Sequence, residues 1–289
     1  MLQDYTLPTT VDEALILLIS CNGTAKVIAG GTDLALDLES GEVSANCLVD
    51  VSNIQELKKI ETNGGAIIIG GGVTHSEVAG SDLIKEKAAV LANACRAVGS
   101  LQIRNTGTLA GNVVNAQPAA DAAVALVALG AQAVIAGPEG LKSAPVEELY
   151  AGVGKSKVDS TREIVTQLHF PALTGNQGSA FARLAQRKAL ALPMLNVAAV
   201  VSIIDNTFEW ARIVMAPVGP GPVRAKKAEE LLAGTEVNST NLQKAAAASC
   251  AEANPRSSSL RGSREYRIHV LEVLVRRALE MAVANAQKS

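Results

Sequence analysis

The sequence predicts an α+β fold, and two observations about the order of its segments lead to this class. Up to about residue 171, apolar runs of strand length and helical patterns follow one another irregularly, unlike the βα alternation of a doubly wound sheet. Beyond about residue 178, three strand patterns in a row precede three helical patterns. We therefore predict a first domain at residues 1–174, with subdomains at about 1–55 and 56–174, and a second domain at residues 175–289.

The first domain opens with a predicted helix over residues 10–20. Thr10 and Glu13 have the spacing of a capping box, in which two side chains satisfy free N–H groups at the start of a helix. Thr74 and Glu77 repeat this spacing before a second, short helix. Short apolar runs predict strands at residues 25–29, 47–51, 66–70, 131–136 and 162–170.

Two longer segments complete this domain. Apolar residues at helical spacing predict a single helix over residues 82–98 and another over residues 120–129. Residues 105–119 between them are rich in Gly and Asn and lack a clear period, which predicts a loop.

The second domain is predicted to contain a three-stranded antiparallel sheet and a three-helix bundle. Its predicted strands are residues 179–187, 197–204 and 208–216, and its predicted helices are about residues 225–233, 240–253 and 263–286. Arg261, Arg264, Arg267, Arg276 and Arg277 accompany the last helix. They form either a docking face for a partner or an ordinary solvated helical face.

The composition excludes several function classes. The apolar fraction of 48% is that of a globular protein. The formal net charge of −2 provides no field for gathering nucleic acid or an anionic membrane. Only three Tyr, three Phe and one Trp are present, which argues against a single-strand nucleic-acid platform built from stacked rings. If the protein binds a flat ring system, it has few aromatic side chains with which to cover it.

The first twenty residues lack a basic start and are interrupted by three acidic residues, so we expect a cytoplasmic protein without a signal peptide. The four cysteines are widely spaced and the three histidines are isolated. This pattern predicts reduced thiols and no metal site in this chain.

Two glycine-rich segments are the candidate functional sites. Residues 29–33, AGGTD, follow a predicted strand and leave backbone N–H groups uncovered, which suits an anion, although a plain tight turn has the same pattern. Residues 106–112, TGTLAGN, combine small side chains with many donors and acceptors. A nucleotide diphosphate is a natural ligand for such a segment, and a solvated loop is the alternative.

Taken together, these segments resemble the FAD-binding subunit of the molybdenum hydroxylases, the family of xanthine dehydrogenase and carbon monoxide dehydrogenase. The resemblance rests on VIAGGTDLAL, NTGTLAGNVVNAQPAAD, GSAFARLAQRKALALPMLNVAAVV, MAPVGPGPVRAKKAEELLAG and LRGSREYRIHVLEVLVRRAL, in that order. It implies a two-part FAD-binding domain of the vanillyl-alcohol-oxidase (PCMH) type, followed by a small α+β domain. It departs from the family at Ala110, where the second loop usually carries glycine.

The resemblance also implies the residues that bind FAD. The first loop would wrap the diphosphate together with the second, Asp121 would lie near the adenosine ribose, and Ile164 and Val165 would border the flavin. Arg183 and Lys188 would approach from the other side, and Phe181 is the candidate for a ring stacked on the isoalloxazine. The complete set is Val27, Ile28, Ala29, Gly30, Gly31, Thr32, Asp33, Leu34, Thr108, Leu109, Ala110, Gly111, Asn112, Asp121, Ile164, Val165, Phe181, Arg183 and Lys188.

As a member of this family, the chain would be an electron-transfer subunit with no catalytic side chain of its own. An iron–sulfur subunit with 2Fe–2S clusters would supply electrons, a molybdenum-cofactor subunit would oxidise the substrate, and NAD or another carrier would accept the electrons. The complex would be a dimer of heterotrimers. The alternatives are a stand-alone PCMH-type flavoenzyme, and a flavin-free assembly scaffold.

Overall fold

The computed structural model describes residues 2–187 and 190–288, and it confirms the α+β class. The strands are β1 Asp4–Thr6, β2 Ala25–Ile28, β3 Cys47–Asp50, β4 Ile60–Asn63, β5 Ala66–Gly70, β6 Gln132–Gly137, β7 Gly140–Pro145, β8 Tyr150–Gly152, β9 Lys155–Ser156, β10 Ile164–Pro171, β11 Gln177–Leu184, β12 Leu195–Ile204, β13 Thr207–Ala216 and β14 Val223–Arg224. The helices are α1 Val11–Ser20, α2 Leu34–Ser40, α3 His75–Gly80, α4 Asp82–Lys87, α5 Ala89–Ala97, α6 Leu101–Thr106, α7 Leu109–Val114, α8 Asp121–Ala128, α9 Lys226–Leu232, α10 Ser239–Ala251 and α11 Arg264–Ala286.

The strands form three sheets of three or more strands. A parallel sheet has the order β1-β3-β2 and packs its apolar side against α1. An antiparallel sheet of five strands has the order β4-β5-β10-β6-β7. A second antiparallel sheet has the order β11-β12-β13-β14, and a separate two-stranded ribbon joins β8 to β9. The predicted three-stranded sheet is thus present as β11–β13, and the two-residue strand β14 extends it.

Strand β12 connects the two large cores of the molecule. Ala198 and Val200 face the core between the five-stranded sheet and helices α3–α8, whereas Val197 and Val201 face the core beneath α9–α11. This alternation follows from the period of two in a strand, and it buries β12 on both faces. The three C-terminal helices therefore pack on the sheet as well as on one another.

The helix boundaries show where sequence patterns were insufficient. The predicted helix over 82–98 is two helices separated at Ala88, whose φ of −155° and ψ of 49° are not helical. The carbonyl of Lys87 there accepts a hydrogen bond from the distant N–H of Leu173, at 3.0 Å, instead of continuing a helical ladder. The predicted loop over 105–119 contains α7. Its start is capped by Thr108, whose hydroxyl accepts from the N–H of Gly111 at 3.0 Å.

The two predicted capping boxes have different outcomes. At α3 both reciprocal bonds between Thr74 and Glu77 are present. At α1 the Thr10 hydroxyl accepts from the N–H of Glu13, but the Glu13 carboxylate accepts from the N–H of Thr9, one residue earlier than expected. In the described ranges, none of the helices is long and apolar enough to cross a membrane.

Candidate functional site

A long cleft of about 1240 Å³ runs between the glycine-rich loops and the segments that flank the four-stranded sheet. Small-molecule pockets usually measure about 300–1,000 Å³, so this cleft suits an extended ligand. Both glycine-rich loops lie in its wall, together with the first residues of β10 and the chain that follows β13. From their residues alone the loops were separate candidates, whereas the family resemblance implied that both bind one diphosphate, and the fold places both in one cleft.

The first loop, residues 29–33, leaves β2 with open backbone donors. The N–H groups of Gly30, Gly31, Thr32 and Asp33 donate no hydrogen bond to any described residue. Gly31 has a φ of +65°, a conformation that suits glycine. A row of free N–H groups in a cleft wall is the chemistry that binds phosphate oxygens without a basic side chain.

The second loop packs directly on the first. A Cβ added to Gly30 would lie 2.1 Å from the carbonyl oxygen of Thr106, and one added to Gly107 would lie 3.3 Å from the hydroxyl of Thr32. Just beyond this contact, the buried amide oxygen Oδ1 of Asn112 has no hydrogen-bond partner among the described residues. The two loops thus form one surface that leaves polar groups for a ligand.

Ala110 lies on this surface within the first turn of α7 and is 5% exposed. Its φ lies outside the left-handed region. The described non-glycine residues with a positive φ are Asn22, Ala116, Leu190, Asp205 and Asn206. The departure from glycine at position 110 therefore causes no backbone strain. Any effect of Ala110 on a ligand comes from its methyl group.

His75 was not predicted as a site residue. It begins α3, lines the cleft, and donates its backbone N–H to the carbonyl of Gly107 at 3.0 Å. Burial, together with the positive charge of Arg104, lowers the pKa of His75 to about 4, and its Nδ1 atom has no partner among the described residues. The ring is therefore neutral near pH 7. The sequence signal that could have indicated His75 as a site residue is its position just after the glycine run 70–72.

Asp121 starts α8 at the edge of the cleft and is only 5% exposed. Its carboxylate accepts from Nε of Arg183 at 3.1 and 3.2 Å and from Nδ2 of Asn196 at 2.6 Å. Burial raises the pKa of Asp121, and the Arg183 charge with the Asn196 hydrogen bond opposes that rise. Arg183 also donates to the carbonyl of Ala191. Arg183, which the resemblance places near the flavin, is thus hydrogen-bonded to groups of the protein itself.

The described lining of the cleft contains no Phe, Tyr or Trp side chain. Phe181 packs against the large core on the side of the five-stranded sheet instead of lining the cleft. Ile164 and Val165 at the start of β10 do line it, as do Leu190 and Leu192 at the other wall. A flat ring in this cleft would therefore be covered by aliphatic groups.

Most of the predicted site residues share the cleft. Those in its lining are Val27, Ile28, Ala29, Gly30, Gly31, Thr32, Asp33, Leu34, Thr108, Ala110, Gly111, Asn112, Asp121, Ile164 and Val165. Leu109 is fully buried in the core, and Phe181 and Arg183 lie outside the lining. Lys188 lies outside the described residues.

The arginines around the last helix do not form one solvated face. Arg267 is 4% exposed and lines the cleft, as does Arg261, whereas Arg277 is exposed elsewhere on α11. Arg256, on the chain that precedes α11, joins them in the cleft wall. Across residues 2–187 and 190–288, no three His, Cys, Asp or Glu side chains gather closely enough to hold a metal ion.

Two family models match the chain. The FAD binding domain in molybdopterin dehydrogenase matches residues 1–173, and the CO dehydrogenase flavoprotein C-terminal domain matches residues 180–282.

Curated relatives match over nearly the whole length. The chain is similar to the xanthine dehydrogenase FAD-binding subunit of Escherichia coli O157:H7, with 28% identity over 284 residues that cover 98% of this chain and 96% of the relative. It is also similar to the carbon monoxide dehydrogenase medium chain of Hydrogenophaga pseudoflava, with 27% identity over 281 residues and 97% of each chain covered.

Solved structures agree with these matches. The fold matches a chain of carbon monoxide dehydrogenase from Hydrogenophaga pseudoflava, in a form that lacks the Mo-pyranopterin moiety of the molybdenum cofactor. The TM-score is 0.93 at 27% identity, covering 99% of this chain and 98% of that chain. A chain of quinoline 2-oxidoreductase from Pseudomonas putida 86 matches with a TM-score of 0.90 at 25% identity and the same coverage.

Proposed function

The chain belongs to the FAD-binding medium subunits of the xanthine dehydrogenase and carbon monoxide dehydrogenase family, and from this premise we propose that it passes electrons from a partner's 2Fe–2S clusters to an acceptor such as NAD. It is the FAD-carrying subunit of an oxidoreductase, incomplete without its partner subunits. FAD, when bound, supplies the conversion between single electrons arriving from the clusters and the electron pair, carried with one proton, that reduces NAD to NADH.

The observation that carries the proposal is the row of free N–H groups at residues 30–33, in contact with the second loop. These donors fit a diphosphate, and the unpartnered Asn112 amide oxygen fits a hydroxyl donor of an extended dinucleotide. The residues present therefore fit FAD. Residues 27–34 and 108–112 would hold the diphosphate region.

The flavin end of the cleft is proposed at Ile164 and Val165, whose buried side chains would exclude water from one face of the ring. Asp121 keeps its place at the N-terminus of α8 through Arg183 and Asn196, so the carboxylate oxygens are held before a ligand arrives. Away from the flavin end, its remaining acceptor capacity is available to the ribose hydroxyls of the cofactor's adenosine. This chain thus contributes binding and orientation, with no acid or base of its own.

The partners are proposed to be an iron–sulfur subunit and a molybdenum-cofactor subunit, assembled as a dimer of heterotrimers. The molybdenum cofactor and the clusters are carried by those subunits.

We also propose a division of the chain into two domains, residues 1–174 and residues 175–289. The first has two parts, at about residues 1–55 and 56–174. The parallel sheet, the five-stranded sheet and the four-stranded sheet each fall within one of these parts, which supports the division.

A pull-down from native lysate with flavin quantified tests the proposal. We expect yellow protein with stoichiometric FAD that co-purifies with a cluster-bearing and a molybdenum-bearing chain. Yellow protein without partners would instead indicate a stand-alone flavoenzyme. Colourless protein that brings down no partner would contradict the proposal.

A further inference from the structure

Arg267 is a buried cation without a carboxylate partner. Its guanidinium donates to three backbone carbonyls, those of Arg256 at 2.7 Å, Met194 at 3.0 Å and Pro217 at 2.6 Å. The side chain is 4% exposed and lines the cleft, and its Nε atom has no partner among the described residues. The carbonyls orient the guanidinium, but they leave its charge uncompensated.

Two further arginines share this wall of the cleft. Arg256 and Arg261 line it beside Arg267, and none of the three forms an ion pair with a described carboxylate. Burial lowers the pKa of Arg267, and repulsion from Arg261 and Arg256 lowers it further, as expected for three positive charges in one cleft. A chain with a net charge of −2 thus has three arginines in one wall of its cleft.

This cluster belongs to a different part of the chain from the glycine-rich loops. The loops belong to the first family match, whereas the arginines lie at the start of the last helix and just before it, in the second. The loops already offer free N–H groups for one diphosphate. A guanidinium cluster is the complementary arrangement for a second phosphate-bearing group.

We propose that Arg256, Arg261 and Arg267 form a binding subsite for the phosphate groups of the electron acceptor, which is then of the nicotinamide-dinucleotide class. The inference rests on the proposed function, in which the diphosphate of FAD occupies the loops. Arg267 is the fixed, preoriented member of the cluster. Arg256, which is exposed, and the half-buried Arg261 approach the ligand from the rim.

Calorimetric titration of inorganic pyrophosphate, and separately of NAD, into the FAD-loaded full chain tests the subsite. The variant Arg256→Ala/Arg261→Ala removes two charges while leaving the carbonyl bonds of Arg267 in place. We expect it to weaken pyrophosphate and NAD binding at least tenfold without changing the FAD content. The control Arg276→Ala/Arg277→Ala removes two charges from α11 outside the cleft, and we expect binding within twofold of the parent.

Three outcomes would overturn the inference. The first is an equal weakening of pyrophosphate and NAD binding in the two double variants, or no weakening in either. In both cases the location of Arg256 and Arg261 in the cleft would not matter for binding. The second is a loss of FAD from the Arg256→Ala/Arg261→Ala variant alone, which would assign the cluster to the phosphates of FAD itself. The third is a parent chain that holds no FAD yet binds pyrophosphate through these arginines. In that case the proposed function fails and the cluster is a phosphate site of another kind.

Discussion

The guanidinium of Arg183 forms an ion pair with the carboxylate of Asp121, with Nε 3.1 Å from Oδ1 and 3.2 Å from Oδ2. The side chains are 15% and 5% exposed. Their pairing joins strand β11 of the four-stranded sheet to the first residue of α8, 62 positions away in sequence. Asn196 on the neighbouring strand β12 binds the same carboxylate. The two halves of the chain are thereby fastened together at the edge of the cleft.

Replacing Asp121 with alanine should destabilise the protein strongly. The change leaves the Arg183 guanidinium and the Asn196 amide without their acceptor, and an uncompensated buried charge typically costs about 3–5 kcal/mol. Urea unfolding followed by circular dichroism measures the free energy of unfolding.

A surface pair is the control for this prediction. Glu280→Ala removes the exposed ion pair between Glu280 and Arg276 on α11, and we expect a change below about 1 kcal/mol. The double variant Asp121→Leu/Arg183→Met, which removes both charges, should recover much of the loss. If Asp121→Ala costs no more than Glu280→Ala, the pair does not hold the two halves together.

Much of the fold was predictable because it rests on local patterns. The apolar runs of β2, β3 and β5 and the capped start of α3 lie where their patterns placed them. The missed elements depend on tertiary contacts. The break at Ala88 coincides with a hydrogen bond from Leu173, which no local pattern encodes. Helix α7 has only six residues, so its period is too short to stand out among its glycines.

The residue patterns alone predicted two separate loops, and the family resemblance was needed to assign both loops to one ligand. The glycines and the small polar residues were visible in sequence, whereas the contact between Gly30 and Thr106 depends on how the two subdomains pack. The ion pair of Arg183 could not be predicted from the sequence either, because its partner Asp121 lies on another element. Arg267 has the sequence pattern of a helix-surface residue, but its guanidinium donates to the carbonyl of Arg256 on the chain before α11.

The contact between the two loops predicts that Gly30→Ala will weaken FAD binding at least tenfold. The new Cβ would lie 2.1 Å from the Thr106 carbonyl oxygen, so the loops must separate and the row of N–H groups is displaced. Fluorescence titration of the flavin-free chain with FAD measures the dissociation constant. Gly80→Ala is the matched control, since a Cβ there meets no atom within 4 Å and no left-handed φ is involved. Equal affinities in the two variants would refute the role of the loop contact.

Restoring glycine at position 110 should lower stability without improving the affinity for FAD. Ala110 has helical backbone geometry in α7, where glycine is less favourable than alanine by about 1 kcal/mol, and its buried methyl group adds about 0.8 kcal/mol. We therefore expect Ala110→Gly to reduce the free energy of unfolding by about 1–2 kcal/mol. The FAD dissociation constant should stay within twofold.

Ala116 allows the same chemical change at a strained position. Its φ of +50° lies in the left-handed region, which strains a residue with a Cβ. Glycine would relieve about 1–2 kcal/mol of this strain, which offsets the lost burial of the methyl group. We therefore expect Ala116→Gly to leave the free energy of unfolding nearly unchanged. A tenfold gain in FAD affinity for Ala110→Gly would mean that the alanine methyl group crowds the cofactor. Equal losses of stability at the two positions would contradict the backbone argument.

The buried imidazole of His75 predicts a specific loss of stability in mild acid. Its pKa in the folded chain is about 4, below the ordinary value of 6.5, so between these values the unfolded chain binds more protons. Folding stability from this residue is complete above pH 6.5 and is lost as the pH falls towards 4, by about 2 kcal/mol between pH 7 and pH 5. His75→Gln removes the titrating group, so its unfolding free energy should fall less than that of the parent over this interval. His269→Gln, at an exposed position of α11, controls for the loss of a surface imidazole. Parallel pH profiles for the parent and His75→Gln would show that His75 is protonated as easily in the folded chain as in the unfolded one.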